Sequence, residues 1–263
     1  MENKFSANPY NFNNKLISVN DIINIMKKLN INDFMTDNIQ LYQTAFIHKS
    51  YCKMLDYNNY EYPGNGCLPL QDQSYEAVEF LGDSILGSII SSYIYKRFHE
   101  VYGENEGFLT KLKIRLVCGE NLGFLSKKIN FSEYIVISKH IQDNCSGREN
   151  VSILEDVLEA FIGSLYLDKG YNYTEGFIIK LIEKHCDFTE IILKDNNYKD
   201  QVSRYFQQTF SIYPKYTTEK YENVFKSTIY KGDQYITTGS GSSKKKAEQD
   251  VSKKALLYFK VLN

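Results

Sequence analysis

Two pairs of carboxylates lie in apolar stretches at spacings that place each pair on one face of a helix. Glu79 and Asp83 are four residues apart in EAVEFLGDSILG, and Asp156 and Glu159 are three apart in ILEDVLEAFIG. Side chains three or four positions apart are neighbours on a helix surface. Burying a carboxylate costs free energy unless it is paired, protonated or bound to a metal, and few basic residues lie near either pair in the sequence.

Together the two pairs predict a metal site. Two such helices packed together would form a cluster of four carboxylates, and a divalent cation would relieve their repulsion. A donor set made only of oxygen favours Mg²⁺ or Mn²⁺ over zinc or copper. Either pair alone could be a solvated helix face, but small residues at Gly82, Gly87 and Gly163 flank both pairs and favour close packing. A di-iron centre would need Glu-x-x-His motifs, and the sequence contains none.

The elements that must position these residues are predicted to be helices. Apolar positions recur with helical spacing in residues 20–29, 39–48, 75–99, 107–116, 120–128, 152–169 and 174–185. We expect Asn20 to cap the first helix. No stretch before residue 190 alternates with a period of two, so we expect an all-α domain over 16–190. The loop at 53–73, rich in Tyr, Asn, Pro and Gly, is predicted to be an insertion.

The last 66 residues change period and predict a separate α+β domain over 198–263. A helix at 198–210 precedes three short strands, at 215–220, 224–231 and 234–238. Lys231-Gly232-Asp233 is a turn signal that joins the last two strands as a hairpin. A Gly/Ser loop then leads into a helix. Its apolar face comprises Ala247, Val251, Ala255, Leu256 and Phe259. The predicted order is α-β-β-β-α.

Charge divides the chain at the same place. Residues 1–197 hold 19 Lys+Arg against 26 Asp+Glu, whereas residues 198–263 hold 12 against 6, which gives net charges of −7 and +6. An acidic body with a basic C-terminal domain predicts that this domain meets a polyanion. The boundary is expected near 190–198, at the polar segment 194–197.

Composition excludes several classes of protein. With 43% hydrophobic residues the chain is not mostly disordered. Long uncharged apolar stretches and the apolar core of a secretory signal are missing, which predicts no membrane association. The five cysteines are widely spaced and include no CxxC pair, which argues against a zinc knuckle and a disulfide framework. We therefore expect a cytoplasmic protein.

The acidic motifs resemble those of a known family. EAVEFLGDSILG resembles the signature of ribonuclease III, the double-stranded-RNA endonucleases. Residues 44–51 (TAFIHKSY) resemble the family's upstream helix, 106–112 (EGFLTKL) its middle helix, and 153–168 its second acidic motif. The resemblance covers roughly residues 30–185.

This resemblance implies an activity and a set of site residues. Glu79, Asp83, Asp156 and Glu159 match the four catalytic carboxylates, which bind Mg²⁺ with Mn²⁺ as a substitute. Two further acidic positions of the metal site are matched by Glu76 and Glu106. The implied reaction is hydrolysis of double-stranded RNA to 5′-phosphate and 3′-hydroxyl ends during RNA processing or degradation, with no side-chain nucleophile and no small-molecule cofactor.

The resemblance also implies a homodimer with one site per subunit, each cutting one strand. Phe80 matches the aromatic residue that family members insert into the partner subunit. On spacing alone, a phenylalanine at this position would be read as core.

His48 could serve as a general base, but a packing or capping role at a helix is favoured.

The C-terminal domain resembles a double-stranded-RNA-binding domain, most specifically in GSGSSKKKAE at 239–248. Ser243, Lys244, Lys245 and Lys246 would place backbone N–H groups and ammonium charges against phosphates across the major groove. From the first helix, Gln201, Ser203 and Arg204 would face a minor groove.

This domain departs from its family at two places. Arg204 stands where a glutamate is common, and 220–223 replace the usual His-containing loop between the first two strands.

Two classes of function fit these features. One is a metal-dependent endonuclease. The other is a protein that sequesters duplex RNA, or a structural subunit of an RNA–protein assembly, with vestigial cleavage. All four matched carboxylates are present, which favours the enzyme.

Overall fold

The chain divides into two units between Ile191 and Ile192. In the described part of the first unit, the regular secondary structure is helical apart from two isolated β-bridges. The computed structural model describes residues 7–193 and 197–262. The α-helices in residues 7–193 are α1 (Val19–Lys28), α2 (Ile39–Thr44), α3 (Glu76–Ile94), α4 (Glu100–Tyr102), α5 (Glu106–Leu116), α6 (Gly119–Lys128), α7 (Lys139–Asn144), α8 (Val151–Lys169), α9 (Tyr171–His185) and α10 (Phe188–Leu193). A π-helical turn, Tyr95–His99, joins α3 to α4.

Two predicted helix ends are corrected. The N-cap of α1 is Ser18 and not Asn20: the Ser18 hydroxyl accepts from the Asp21 N–H, and the Asp21 carboxylate accepts from the Ser18 N–H. This reciprocal capping box begins two residues before the predicted cap. The helix predicted over 39–48 ends at Thr44, because Ile47 leaves it to pair with Val136 in an isolated parallel bridge.

The two helices with the acidic pairs, α3 and α8, cross in the centre of this unit. A Cβ on Gly82 would lie 1.8 Å from the carbonyl oxygen of Glu159, and a Cβ on Gly163 would lie 2.3 Å from that of Val78. The close crossing therefore requires glycine at both positions. Around it, buried aromatic rings fill the core, such as Phe161 at 4.8 Å from Phe131 between ring centroids.

By length and composition alone, the run from Glu76 to Tyr102 could cross a membrane. A helix that packs within a globular unit can satisfy the same criteria, and the α3 part of this run buries Leu86, Ile89 and Ile90 in the core of its unit. It packs against α8, and it carries charged side chains on the face that includes Glu79.

The predicted insertion has its two ends pinned together. Cys52 and Gln71 form an isolated parallel bridge, in which the Lys53 N–H donates to the Gln71 carbonyl at 2.9 Å and the Gln71 N–H to the Tyr51 carbonyl at 3.0 Å. Lys53 also forms an ion pair with Asp72. The chain thus leaves and returns at one point, just before α3 begins.

The second unit contains α11 (Tyr198–Phe210), β1 (Lys215–Tyr221), β2 (Val224–Lys231), β3 (Gln234–Gly241) and α12 (Lys244–Tyr258). The strands form an antiparallel sheet in the order β1-β2-β3, and the two helices pack against each other and share a core with the sheet. Gly232 adopts a φ of 60° in the predicted β2–β3 turn. The predicted fold class, an all-α domain followed by a small α-β-β-β-α domain, is confirmed.

Candidate metal centre and nucleic-acid interface

Carboxylates from both acidic pairs meet where α3 and α8 cross. Glu79 from α3 and Asp156 and Glu159 from α8 each offer an oxygen, and these three oxygens lie within 4.8 Å of one another. Asp83, one turn further along α3, lies outside this group of three but close enough for its charge to raise the pKa of both Glu79 and Glu159. The structure thus brings the two predicted pairs to one place.

Burial and mutual repulsion govern the electrostatics of this group. Glu159 is only 7% exposed, and burial, followed by the charge of Asp83, raises its pKa to about 8. Burial also raises the pKa of Glu79 and Asp156. Among the residues that the structure describes, Glu159 has no hydrogen-bond or ion-pair partner. A buried carboxylate without a partner is costly, and a cation among the three oxygens would remove that cost.

The donor set fits a divalent cation that prefers oxygen. All three ligands are carboxylates, and no histidine or cysteine belongs to the group. Mg²⁺ and Mn²⁺ favour such ligands, whereas zinc and copper favour nitrogen or sulfur.

The two outer acidic residues are held by other partners. Lys49 donates to the Glu76 carboxylate at 2.9 Å, and this bond holds the pKa of Glu76 below its ordinary value. Glu106 lies in the first turn of α5, where it accepts a hydrogen bond from the Thr110 hydroxyl. Neither residue belongs to the group of three. Their metal-binding role stays a prediction.

Sequence reasoning missed a fifth acidic residue beside the group. The charge of Glu155 contributes to the raised pKa of Glu159, and burial raises the pKa of Glu155 itself. Its carboxylate lies over the first residue of α6, where a Cβ on Gly119 would be 2.2 Å from Oε2. The signal was available, because Glu155 and Glu159 are four residues apart on α8.

Two other predicted residues have clear positions. The His48 ring caps the short 3₁₀ helix Lys49–Tyr51 by accepting from the Ser50 N–H at 3.1 Å, which confirms the predicted capping role. Phe80 is 76% exposed on α3. The core reading from spacing alone is therefore wrong, because Phe80 lies on the side of α3 that faces away from this unit's core.

The start of α12 forms a basic end of the second unit. Ser243 is its N-cap and accepts from the Lys246 N–H, while Lys244, Lys245 and Lys246 are exposed. None of the three lysines forms an ion pair within the described parts of the chain. Gly241 permits the tight approach of β3 to this turn, since a Cβ there would lie 2.5 Å from the Ala247 nitrogen.

The predicted residues of α11 lie on its partly exposed side. Gln201 and Ser203 are half-buried, and Arg204 is exposed with its guanidinium 3.0 Å from the Asp200 carboxylate. The loop that departs from its family is a tight turn between β1 and β2, in which Glu222 has a φ of 49°.

Comparisons with known proteins agree with this architecture. A ribonuclease-III-like family matches residues 38–185, and the double-stranded RNA binding motif matches 198–259. These matches define a nuclease followed by an RNA-binding domain. The chain belongs to the ribonuclease III family.

Several proteins similar to this chain are named ribonuclease 3. The chain is 33% identical to a probable ribonuclease 3 of Acanthamoeba polyphaga mimivirus over 97% of its own length but only 48% of that protein, so it spans about half of this relative. It is 31% identical to ribonuclease 3 of Borreliella burgdorferi over 86% of this chain and 87% of that one. The nuclease domain of ribonuclease III from Campylobacter jejuni matches 63% of this chain and 98% of its own, with 27% identity and a TM-score of 0.50. In that nuclease domain, a region involved in dimer formation is structurally flexible.

Proposed function

We propose that this protein is a divalent-metal-dependent endoribonuclease that cleaves double-stranded RNA to 5′-phosphate and 3′-hydroxyl ends in RNA processing or degradation. The observation that carries the proposal is the convergence of Glu79, Asp156 and Glu159 at the helix crossing, with Glu159 buried and, among the described residues, unpartnered. Family membership supplies the reaction class. The proposed domains are residues 16–190 for the nuclease and 198–263 for RNA binding.

The acidic residues of α3 and α8 would form the metal centre. Glu79, Asp83, Asp156 and Glu159 would hold Mg²⁺, or Mn²⁺ in its place, with Glu76 and Glu106 as outer ligands. The bound cation would activate a water and stabilise the charge that develops on the phosphate and leaving oxygen. The carboxylates fix the position of that centre relative to α3 and α8, and no side-chain nucleophile is required.

The RNA-binding domain would hold the duplex by its shape. Lys244, Lys245 and Lys246 at the start of α12 would contact phosphates across the major groove, with the N–H groups around Ser243 beside them. Gln201, Ser203 and Arg204 of α11 would face a minor groove. Such contacts depend on salt and carry little sequence preference.

The proposed enzyme is a homodimer. Phe80 supports this, because a large apolar side chain exposed on a central helix is suited to a partner surface. Each subunit would supply one site and cut one strand. The five cysteines are all free, which supports the proposed cytoplasmic location.

The test uses end-labelled duplex RNA with Mg²⁺ or with EDTA, and single-stranded RNA and duplex DNA as controls. We expect fragments from the RNA duplex alone, and only with Mg²⁺. Glu159→Gln should abolish cleavage and leave duplex binding intact. Glu133→Gln is the matched control, since Glu133 is exposed and paired with Lys15. A duplex that is bound but uncut in both Mg²⁺ and Mn²⁺ would indicate a sequestering protein instead.

A further inference from the structure

A buried tyrosine ties the two acidic helices together. Tyr75 immediately precedes α3 and is only 3% exposed. Its hydroxyl donates a hydrogen bond to Oδ2 of Asp156 on α8, at 2.8 Å. The two residues are 81 positions apart in the chain, so this contact exists only because α3 and α8 cross.

The tyrosine is itself held firmly. The Tyr75 N–H donates to the Ile47 carbonyl at 2.9 Å, and its ring packs against the His48 ring at 5.8 Å between centroids. With both backbone and ring fixed, the hydroxyl has one direction in which to point. Burial keeps the pKa of Tyr75 well above its ordinary value, so the hydroxyl remains a donor.

We infer that Tyr75 is a positioning residue for the metal centre, which occupies one oxygen of Asp156 so that the other faces the cation. A carboxylate that is free to rotate can offer either oxygen, or both, whereas a hydrogen bond to Oδ2 selects Oδ1. Outer hydrogen bonds of this kind orient metal ligands, and their loss typically weakens metal affinity or activity by about 10- to 100-fold. This inference rests on the proposed function, because it assigns Asp156 as a ligand.

A second tyrosine that donates to a carboxylate of α8 offers a matched control. Tyr42 is fully buried, and its hydroxyl donates to Oδ2 of Asp168 on α8 at 2.7 Å. Asp168 is not a member of the carboxylate group at the crossing. Tyr42→Phe and Tyr75→Phe therefore remove the same bond between the same residue types, but only Tyr75→Phe releases a proposed metal ligand.

The experiment measures Mn²⁺ binding to the full chain without RNA, by calorimetry and by the electron paramagnetic resonance signal of free Mn²⁺. We expect the dissociation constant of the site to rise about 10- to 100-fold in Tyr75→Phe and to stay at the wild-type value in Tyr42→Phe. Circular dichroism and the Tm of both variants check the fold. The Mg²⁺ concentration for half-maximal cleavage should rise in step with the Mn²⁺ dissociation constant, while the KM for duplex RNA stays constant.

The possible results separate this inference from the proposed function. If the wild-type chain binds Mn²⁺, Glu159→Gln does not, and Tyr75→Phe binds as tightly as wild type, the positioning role is refuted and the metal centre stands. Equal weakening in Tyr42→Phe and Tyr75→Phe would also refute it, since the effect would then be structural. If Glu159→Gln binds Mn²⁺ as well as the wild type, both proposals fail.

Discussion

Replacing Gly82 with alanine perturbs the crossing of α3 and α8 directly beside the carboxylates. The added Cβ would lie 1.8 Å from the carbonyl oxygen of Glu159, 2.6 Å from its carbonyl carbon and 2.9 Å from the nitrogen of Gly163. All three are backbone atoms, so no side-chain rotation relieves the overlap. An ordinary contact begins at 3.4 Å, and the helices must therefore separate by 1.6 Å, the difference between 3.4 and 1.8 Å.

That separation is large on the scale of the metal site. Two ligands of one Mg²⁺ lie at most about 4.2 Å apart, twice the usual metal–oxygen distance. The oxygens of Glu79, Asp156 and Glu159 are now within 4.8 Å of one another, so small side-chain movements can close them around one ion. If α3 and α8 moved apart by this further 1.6 Å, the Glu79 carboxylate could no longer share one ion with the carboxylates of Asp156 and Glu159.

The expected losses follow from these distances. A 1 Å misplacement in an active site can cost about 100-fold in rate, so cleavage should fall by at least that factor. Overpacking typically destabilises by about 1–3 kcal/mol, which would lower the Tm measurably without unfolding a unit of ordinary stability. The assays are Mg²⁺-dependent cleavage of duplex RNA and thermal unfolding.

Gly87→Ala provides the control on the same helix. A Cβ on Gly87 would meet only the Lys113 Nζ, at 3.9 Å, which is an ordinary contact. It should keep full cleavage and gain up to about 1 kcal/mol, because alanine is a better helix former than glycine. Wild-type cleavage and Tm in Gly82→Ala would refute the view that this close crossing assembles the site, and so would equal losses in the two variants.

Three further predictions concern stability, RNA binding and assembly. The pKa of Glu159 is about 8 in the folded chain against 4.5 as the ordinary value, so the Tm in EDTA should fall as pH rises from 5 to 8, and Glu159→Gln should flatten this decline. Replacing Lys244, Lys245 and Lys246 with glutamine should weaken duplex binding. It should also lower the magnitude of the slope of log K against log salt by roughly 0.9 for each phosphate that is no longer neutralised, measured by fluorescence anisotropy in a KCl series. An unchanged slope would exclude these lysines from the interface. Phe80→Ser should shift sedimentation from dimer to monomer with little change in Tm, since this side chain is 76% exposed, whereas an unchanged dimer would remove Phe80 from the interface.

Features that follow from local periodicity could be predicted from the sequence. The helical spacing of apolar residues predicted the ends of the long helices to within a few residues. The change from helical spacing to short strand-like runs predicted the second unit. The acidic pairs were visible because three- and four-residue spacings fix which side chains share a helix face. Gly82 and Gly163 indicated close packing, and the structure places them at the crossing. The same expectation for Gly87 was wrong, because a Cβ there would meet only the Lys113 Nζ, at 3.9 Å.

Features that depend on contacts distant in the chain were not predictable in this way. The bond from Tyr75 to Asp156 joins residues 81 positions apart, and no local pattern encodes it. Spacing alone assigned Phe80 to the core, because an apolar residue on an apolar helix carries no sign of which face is buried. Only the family resemblance, which implies an aromatic residue inserted into the partner subunit at this position, indicated otherwise.

The two ends of the insertion at 53–73 are hydrogen-bonded to each other, and this determines how the length of the insertion can vary. Two backbone hydrogen bonds, from the Lys53 N–H to Gln71 and from the Gln71 N–H to Tyr51, close the segment where it leaves the helical unit, shortly before α3. Once the ends are joined, each doubling of a flexible loop adds only about 0.6 kcal/mol of closure entropy. Residues can therefore be added or removed at exposed positions between these anchors, such as Asn58 and Asn59, without moving Tyr75 or the carboxylates that follow it. The anchors therefore let the length of the loop change independently of the helix that follows it, so a segment of variable length can border a site that tolerates almost no displacement.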